Sequence, residues 1–257
     1  MPIIELWKDY GITSNEFARR YKLNNKDYVD SVCYAGRLDP MASGKMILLT
    51  NKDTKNVNKY LDHEKLYNFD LIIGIDTKSH DCLSEINKIT DEIKVDRDTL
   101  ILKLQEFIKC YTIQKYPIVS NYTIKHNGIK KPLWWFYMNG YSKNIELPSK
   151  NVTIFDSKIN NIKDVPLNTL IELFINRIKL IDNEKTQNEL KTSSIIKQWE
   201  NVVKQQGTFN LQLIVVNMEL TVSSGFYIRQ FCNDFGKYVN TGAIAFDITR
   251  LNIFNIN

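Results

Sequence analysis

Apolar and polar residues alternate from Leu66 to Ile75, where each odd-numbered position carries a large apolar side chain. A period of two is typical of a β-strand with one face in a core. The run from Leu211 to Val222 has the length of a second strand, and Ser223-Ser224-Gly225 ends it with turn-forming residues. A shorter apolar run, Met46 to Leu49, predicts a third strand.

Between these strands, apolar residues recur three or four positions apart, as on one face of a helix. A capping box, Thr13-Ser14-Asn15-Glu16, precedes the first of them. The helical stripes comprise Phe17, Ala18 and Tyr21; Leu100, Leu104, Phe107, Ile108 and Tyr111; Leu170 to Ile181; Ile195 to Val203; and Ile228, Phe231, Phe235, Tyr238 and Val239. Strands and helices alternate without regular βαβ spacing, which predicts an α+β fold with a mixed or mostly antiparallel central sheet.

We interpret residues 1–257 as a single domain with an insertion at about 159–207. In this segment two helical patterns with polar faces flank the charged run Asp182 to Lys191. Its lysine-rich helices are interpreted as a solvated face.

The composition narrows the class of protein. Of 257 residues, 43% are hydrophobic and 25% charged, which indicates a globular chain. The net charge of +5 permits a polyanionic partner without requiring one. The cysteines are scattered without a C-x-x-C pair, and neither an export signal nor a run of about 20 apolar residues occurs. We expect a cytoplasmic protein with no metal, cofactor, membrane association or obligatory protein partner.

The stretch YAGRLDPMASGK, residues 34–45, concentrates polar chemistry between two glycines. Its glycine spacing is too long for a phosphate-binding P-loop, and the chain contains neither G-x-G-x-x-G nor G-x-S-x-G. Two interpretations of Asp39 remain: a salt-bridged turn fixed by Pro40, or a catalytic carboxylate. His80-Asp81 is interpreted as a turn rather than as catalytic machinery.

Several stretches, in order along the chain, resemble the motifs of the TruB-type tRNA pseudouridine synthases. The G-x-LDP-x-A-x-G signature of that family resembles residues 36–44, and R-L-D also marks synthases that act on ribosomal RNA. The other similar stretches are KDYGITSNEFARRYK, EKLYNFDLIIGIDTKSHD, QKYPIVSNYTIKHNGIKKPLWW, SSGFYIRQFCNDFG and DITRL. The resemblance implies the pseudouridine synthase fold with a catalytic cleft, and uridine 55 in the T arm of tRNA as the target.

The resemblance also implies roles for three residues. Asp39 matches the family's catalytic aspartate, a nucleophile or base at the sugar. Arg229 matches the arginine that keeps this carboxylate ionised. Tyr67 matches the tyrosine that stacks on the flipped base, although its place on the apolar face of a strand is equally that of a core residue.

Further substrate-binding residues follow from the same motifs. Lys65 belongs to the K-x-Y strand, Arg37 precedes the LDP motif, and Arg250 matches an arginine near the site. Ile248 matches an apolar residue of the uracil pocket and is equally expected as plain core. Tyr34 replaces the family's histidine, so its part in filling the space left by the base is open.

Two further features of the sequence concern how the protein would bind RNA. With six residues after Leu251, we expect no C-terminal PUA domain of the kind common in the family. The stretch around residues 124–140 interleaves basic and aromatic residues, a composition suited to phosphate contacts and base stacking. The candidates there are Lys125, Lys130, Lys131 and Trp134. About half of the aromatic residues in this stretch are expected in the core.

Two alternatives stay open from the sequence. The first is a pseudouridine synthase that acts on another RNA, which Arg37, Tyr34 and the expected absence of a PUA domain suggest. The second is a non-catalytic RNA-binding or tRNA-folding protein on the same scaffold. The joint presence of Asp39, Tyr67 and Arg229 argues against the second.

Overall fold

The computed structural model describes residues 3–90, 96–141, 145–204 and 211–255. The strands are β1 (Ile4–Lys8), β2 (Val32–Ala35), β3 (Ala42–Thr50), β4 (Lys65–Ile73), β5 (Ile75–Thr77), β6 (Ile86–Ile89), β7 (Ile113–Lys115), β8 (Thr123–His126), β9 (Ile129–Pro132), β10 (Ser149–Asn151), β11 (Ile154–Pro166), β12 (Gln212–Val222) and β13 (Ala243–Ile253). The helices are α1 (Ser14–Asn24), α2 (Arg97–Cys110), α3 (Leu133–Met138), α4 (Leu167–Lys179), α5 (Glu184–Leu190), α6 (Thr192–Lys204) and α7 (Ile228–Tyr238), and a 3-10 helix covers Asn51–Tyr60.

A seven-stranded sheet organises the chain. Its strand order is β1-β3-β13-β4-β12-β11, and β2 also pairs with β3. The contact between β13 and β3 is parallel, whereas the other pairings of this sheet are antiparallel. The predicted α+β fold with a mixed, mostly antiparallel sheet is confirmed.

The two faces of the sheet bury separate cores, as the alternation along the strands predicts. In β4, Tyr67, Phe69 and Leu71 point into a core that α2 and α7 complete. Ile72 points to the opposite face, where α4 and α6 form a second core. The predicted strand ends at Ile73 rather than Ile75, because Gly74, at a φ of 104°, separates β4 from β5.

The predicted helices form near their expected positions. Thr13 caps α1, since its side chain accepts a hydrogen bond from the Glu16 amide at 3.0 Å. Asp96 caps α2 through the amide of Thr99. The stripe that begins at Ile228 lies along α7, which is buried over most of its length. Within the described ranges, no helix is long and apolar enough to span a membrane.

The segment predicted as an insertion contributes to the sheet and to a core. Its first residues continue β11, the edge strand beside β12. Phe174 of α4 and Trp199 of α6 are fully buried, and their rings pack edge to face. The lysines of these helices are exposed, in agreement with a solvated face, whereas the apolar sides of the helices cover the sheet. That residues 159–207 are an insertion relative to the family stays a prediction. Residues 205–207 of this segment lie outside the described residues.

Candidate active site

The loop that carries Asp39 is fixed from both sides. The Ala42 amide donates to the Asp39 carbonyl at 3.0 Å and closes a tight turn around Pro40. The Gly11 amide donates to the Pro40 carbonyl at 2.9 Å. Ser14 Oγ donates to the Leu38 carbonyl and accepts from the Leu38 amide, both at 2.9 Å. The loop between β1 and α1 thus supports the loop between β2 and β3.

Lys8 connects these two loops through hydrogen bonds from its ammonium group. Its side chain is fully buried at the end of β1. The ammonium donates to the carbonyls of Asp9, Ile12 and Ala42, at 2.9, 2.9 and 2.6 Å. Burial lowers the pKa of Lys8 to about 8, against the opposing attraction of Asp39. This lysine is a positioning group beneath the aspartate loop.

Arg229 supplies a fixed positive charge beside Asp39. It lies in the first turn of α7 with 5% of its side chain exposed. Its Nε donates to Asp39 Oδ2 at 2.7 Å, and its two Nη atoms donate to the carbonyls of Ser79 and Val119, at 2.6 and 3.1 Å. Burial acts to lower the pKa of Arg229, but the carboxylates of Asp39 and Asp81 outweigh it and raise that pKa above its ordinary value.

The ion pair bears on both interpretations of Asp39, the salt-bridged turn and the catalytic carboxylate. A turn is present, but the partner of Asp39 is the distant Arg229 rather than Arg37. Asp39 keeps 36% of its side chain exposed, in contrast to the buried guanidinium. A half-exposed carboxylate that is held against a buried cation suits chemistry on a bound substrate better than a purely structural turn.

Asp81 is a second carboxylate of this cluster, which sequence reasoning missed. The predicted turn at His80-Asp81 is present, with His80 at a φ of 63°. However, the Asp81 carboxylate is buried and lies 3.7 Å from Arg229 Nε. It accepts hydrogen bonds from Ser79 Oγ and from the Leu83 amide. Burial raises the pKa of Asp81, and Arg229 acts in the opposite direction.

The Asp39–Arg229 pair opens onto a cleft of about 360 Å³. Seven of the residues predicted for the site line this cleft: Asp39, Tyr67, Arg229, Arg37, Lys65, Ile248 and Arg250. Ser120 and Tyr227 also line it and were not predicted. The structure thus brings into one cavity side chains from β4, β13, α7 and the Asp39 loop.

Tyr67 and Ile248 occupy positions compatible with both roles considered for each. They are 7% and 6% exposed, pack in the core beneath the sheet and line the cleft. A bulge in β13, between Phe246 and Thr249, interrupts its pairing with β4. Asp247 has a φ of 52° within this bulge. Side chains along a strand alternate between its two faces, so without the bulge Ala245 and Ile248 would point to opposite sides. The extra residue of the bulge places both on the side of the sheet that faces the cleft.

Lys65 and Arg250 hold backbone groups at the base of the cleft. Lys65 Nζ donates to the carbonyls of Leu61 and His63, and burial lowers its pKa to about 8. Arg250 donates to the carbonyls of Lys45 and Gly36, at 2.7 and 3.2 Å. These contacts fix the ends of the segments that surround the aspartate loop.

Arg37 and Tyr34 lie together at the rim. The guanidinium of Arg37 is 5.7 Å from the centre of the Tyr34 ring, within the range of a cation–π contact. The Tyr34 hydroxyl donates to Asn15 Oδ1 at 2.6 Å. Arg37 borders the cleft, whereas Tyr34 is not among the described residues that line it, and the role of Tyr34 in place of the family's histidine stays a prediction.

The predicted RNA-contacting lysines lie on one hairpin. Lys125 of β8 is paired with Lys130 of β9, and both side chains, like that of Lys131, are exposed. Trp134 is 40% exposed and donates from Nε1 to Asn121 Oδ1, a residue of the cleft, at 3.2 Å. The hairpin is therefore attached to the rim of the cleft.

Of the four aromatic residues from Trp134 to Tyr137, one is buried, fewer than the half expected in the core. Phe136 is buried, whereas Trp134 is exposed and Trp135 is half-buried. The ring of Trp135 stacks on Tyr141 at an interplanar angle of 11°. Exposed rings beside exposed lysines offer both stacking and phosphate contacts.

Comparisons with known proteins agree with this geometry. The family described as "TruB family pseudouridylate synthase (N terminal domain)" matches residues 22–176. The tRNA pseudouridine synthase B of Clostridium acetobutylicum is 24% identical over 255 residues, covering 99% of this chain and 68% of the relative. That of Clostridioides difficile is 32% identical over 163 residues, covering 63% and 51%.

Solved structures share the fold. A chain of the Cbf5-Nop10-Gar1 complex superposes with a TM-score of 0.55 at 16% identity, over 99% of this chain and 50% of the other. A chain of an H/ACA RNP bound to a substrate RNA superposes with a TM-score of 0.51 at 15% identity. This chain spans about half the length of each of these two chains.

The mixed sheet and the aspartate–arginine pair in its cleft agree with the class of pseudouridylate synthases that the family match names, and the similar solved structures share the fold. The family match covers more than half of the sequence. This chain belongs to the TruB family of pseudouridylate synthases.

Proposed function

We propose that this chain converts uridine 55 in the T arm of tRNA to pseudouridine, with Asp39 as the nucleophile or base at the sugar. The observation that carries the proposal is the pairing of a half-exposed Asp39 with the buried Arg229 in a cleft lined by Tyr67. The tRNA target is supported by curated relatives that bear the name tRNA pseudouridine synthase B.

The reaction is an isomerisation that conserves atoms and electrons. The bond between N1 of the uracil and C1′ of the ribose breaks, the base rotates, and a bond forms between C5 and C1′. The proton on C5 leaves, and N1 gains one. Asp39 assists the bond changes at the sugar, and Arg229 holds its carboxylate in place through a charged hydrogen bond.

The fixed surroundings of Asp39 supply orientation. Its loop is held by Gly11, Ser14 and Lys8, and its carboxylate is held by Arg229. A target base that is flipped out of the RNA stack would rest against the Tyr67 ring in the cleft. Fixed geometry of this kind lowers the barrier because the reacting groups need little rearrangement.

The RNA is proposed to lie across the cleft and the β8–β9 hairpin. Lys125, Lys130 and Lys131 would contact phosphates, and Trp134 would stack on an unpaired base. Arg37 at the rim would contact the backbone near the flipped nucleotide. We further propose that the chain acts in the cytoplasm as one catalytic domain.

The test is pseudouridine mapping in total RNA from cells with and without the protein, combined with an assay of the purified chain on a tRNA transcript. We expect a signal at position 55 that needs no added metal and persists in EDTA. A transcript with cytidine at position 55 is the matched control, and Asp39→Asn should remove the signal. A signal only in ribosomal RNA would contradict the proposed target, and an active Asp39→Asn variant would contradict the proposed mechanism.

A further inference from the structure

The bulge in β13 that places Ile248 in the cleft contains a residue with an unusual backbone conformation. Asp247 has a φ of 52°, in the left-handed region that side chains seldom adopt. Pairing with β4 is interrupted on either side of it, between Phe246 and Thr249. Such a backbone persists only where its surroundings hold it. The groups that hold Asp247 therefore also determine where Ile248 lies in the cleft.

Two side chains from other parts of the chain hold the carboxylate of Asp247. Tyr10 Oη donates to Asp247 Oδ1 at 2.6 Å, and Arg177 Nη2 lies 2.8 Å from the same oxygen. Tyr10 lies in the loop between β1 and α1, whereas Arg177 belongs to α4. One carboxylate oxygen thus connects the bulge to two elements that are distant from it in sequence.

The guanidinium of Arg177 is itself fixed between two aromatic rings. It lies 3.6 Å from the centre of the Tyr10 ring and 5.1 Å from that of Phe246. The Phe246 ring packs edge to face on Phe174, in the core beneath α4 and α6. Burial acts to lower the pKa of Arg177, but the Asp247 carboxylate and Tyr10 outweigh it and raise that pKa. Arg177 is therefore a charged group held by packing, not a mobile surface side chain.

Hydroxyl groups hold the residue on the other side of Ile248. Tyr10 Oη also lies 2.9 Å from Thr249 Oγ1, which lies 3.1 Å from Ser43 Oγ of β3. The Tyr10 proton is donated to the Asp247 carboxylate, so Thr249 donates to Tyr10. The neighbours of Ile248 on both sides are thus fixed by side-chain contacts.

We propose that Arg177 and Asp247 form a clamp that positions Ile248 against the substrate in the cleft. Both are positioning residues, which act through Ile248 and not on the reacting atoms. Helix α4, within the segment predicted as an insertion, thereby contributes to the site from the opposite face of the sheet. This inference rests on the proposed function, because it takes the flipped uridine to be the group that Ile248 contacts.

The variant Arg177→Met removes the charge and keeps an apolar side chain between the two rings. We expect kcat for a T-arm RNA to fall about tenfold, because a displaced wall of the cleft misplaces the base. The Kd of the RNA should stay within about twofold, since phosphate contacts dominate binding. Arg177→Lys, which can still pair with Asp247, should recover part of the loss. An unchanged kcat in Arg177→Met would overturn the inference.

Arg97→Met and Ile195→Ala are the matched controls. Arg97 pairs with Asp164 of β11, which two strands separate from β13, so Arg97→Met removes an arginine–aspartate pair away from the bulge. Ile195 is buried in the core that contains Phe246, so Ile195→Ala lowers stability there. Both variants should keep kcat below their melting temperatures. An equal fall in kcat for Ile195→Ala and Arg177→Met would assign the effect to lost stability and overturn the inference.

Asp247→Gly tests the carboxylate apart from the backbone conformation. Glycine adopts a positive φ readily, so the bulge can form, but the group that Tyr10 and Arg177 hold is gone. We expect kcat to fall by about the same factor as in Arg177→Met, with little further loss when both changes are combined. A wild-type kcat in Asp247→Gly would show that the backbone alone places Ile248, contrary to the proposed clamp.

A double-mutant cycle tests whether the clamp acts through Ile248. Ile248→Ala alone should lower kcat, and adding Arg177→Met to it should change kcat by no more than about twofold. If Ile248→Ala has no effect, or if the two effects multiply, the clamp does not act through this side chain and the inference fails.

Hydrogen exchange without RNA separates this inference from the proposed function. The backbone amides of residues 246–250 should exchange faster in Arg177→Met than in the wild type, and Arg97→Met should leave them unchanged. Equal exchange in Arg177→Met and the wild type would overturn the inference whatever the activity. Faster exchange in Arg177→Met, together with a wild type that forms no pseudouridine in tRNA, would refute the proposed function and keep the clamp.

Discussion

Arg229 Nε lies 2.7 Å from Asp39 Oδ2 and 3.7 Å from Asp81 Oδ2, so one buried guanidinium serves two carboxylates. The carboxylates differ in environment: Asp81 is buried, whereas Asp39 is partly exposed in the cleft. Asp81 offsets the charge of Arg229 from within the protein, which leaves Asp39 accessible to substrate. This division assigns a positioning role to Asp81.

We expect Asp81→Asn to lower turnover by between about tenfold and a hundredfold, because a displaced Arg229 misplaces Asp39. The amide keeps the size of the side chain but removes its charge, so RNA affinity should change little. The measurement is single-turnover pseudouridine formation together with RNA binding. Asp76→Asn is the control, since its carboxylate meets only Asn87 at the surface among its described hydrogen bonds. Normal turnover in Asp81→Asn would remove Asp81 from the site.

Tyr67→Phe separates the catalytic role of Tyr67 from its role in the core. In the described part of the chain we find no hydrogen bond to its hydroxyl, and its ring is 7% exposed in the core beneath the cleft. The free energy of unfolding should therefore change by no more than about 1 kcal/mol. Turnover should fall sharply if the hydroxyl acts near C5 of the base. A variant that is as stable and as active as the wild type would make Tyr67 a core residue only.

The buried ammonium of Lys8 makes stability depend on pH. Its pKa is lowered from 10.5 to about 8 in the folded chain. Below pH 8 both states are protonated, and the cost of burying the charge is present in full. Between about pH 8 and 10.5 the unfolded chain binds more protons, so the free energy of unfolding rises with pH. The rise from this group is at most roughly 3 kcal/mol.

The measurement is urea unfolding of wild type and Lys8→Met across this pH range. The wild type should gain stability relative to Lys8→Met as the pH rises, because methionine does not titrate. Lys22→Met, which replaces an exposed lysine at the end of α1, should stay at a constant difference from the wild type. A constant difference for Lys8→Met as well would show that Lys8 titrates normally.

The hydrophobic pattern of the sequence predicted these strands and helices because each forms over a short stretch of chain with one side in a core. The alternation through Phe69 and Leu71 follows from a strand between two cores, and the stripe through Phe231 and Phe235 follows from a helix over one of them. The apolar stripes after residue 166 predicted helices there, but not what those helices cover. Their charged faces are conspicuous in sequence, whereas the burial of Trp199 depends on the sheet that they cover.

The contacts between residues of the site could be identified only from the folded structure. Resemblance to a family identified Asp39, Tyr67 and Arg229, but no spacing in the sequence brings Asp81 beside Arg229. Likewise, the bulge at Asp247 that turns Ile248 into the cleft depends on pairing with β4.

The β8–β9 hairpin is expected to set the salt dependence of RNA binding. If Lys125, Lys130 and Lys131 contact phosphates, log affinity should fall linearly with log salt concentration. Replacing all three by glutamine should reduce the slope by roughly 0.7 to 0.9 for each phosphate contact that is lost. Trp134→Leu should weaken binding with little change in slope, because stacking on a base displaces few ions.

The matched control replaces three other exposed lysines by glutamine. These are Lys185, Lys191 and Lys204, which lie in or directly after the helices α5 and α6. Both triple variants remove the same charge from the chain, so a difference between them reports the position of the RNA rather than the net charge. The slope should fall for the hairpin variant and stay near the wild-type value for the control. The reverse result would place the RNA on the helices of residues 184–204, and the hairpin would then lose its proposed role as the RNA-binding surface beside the cleft.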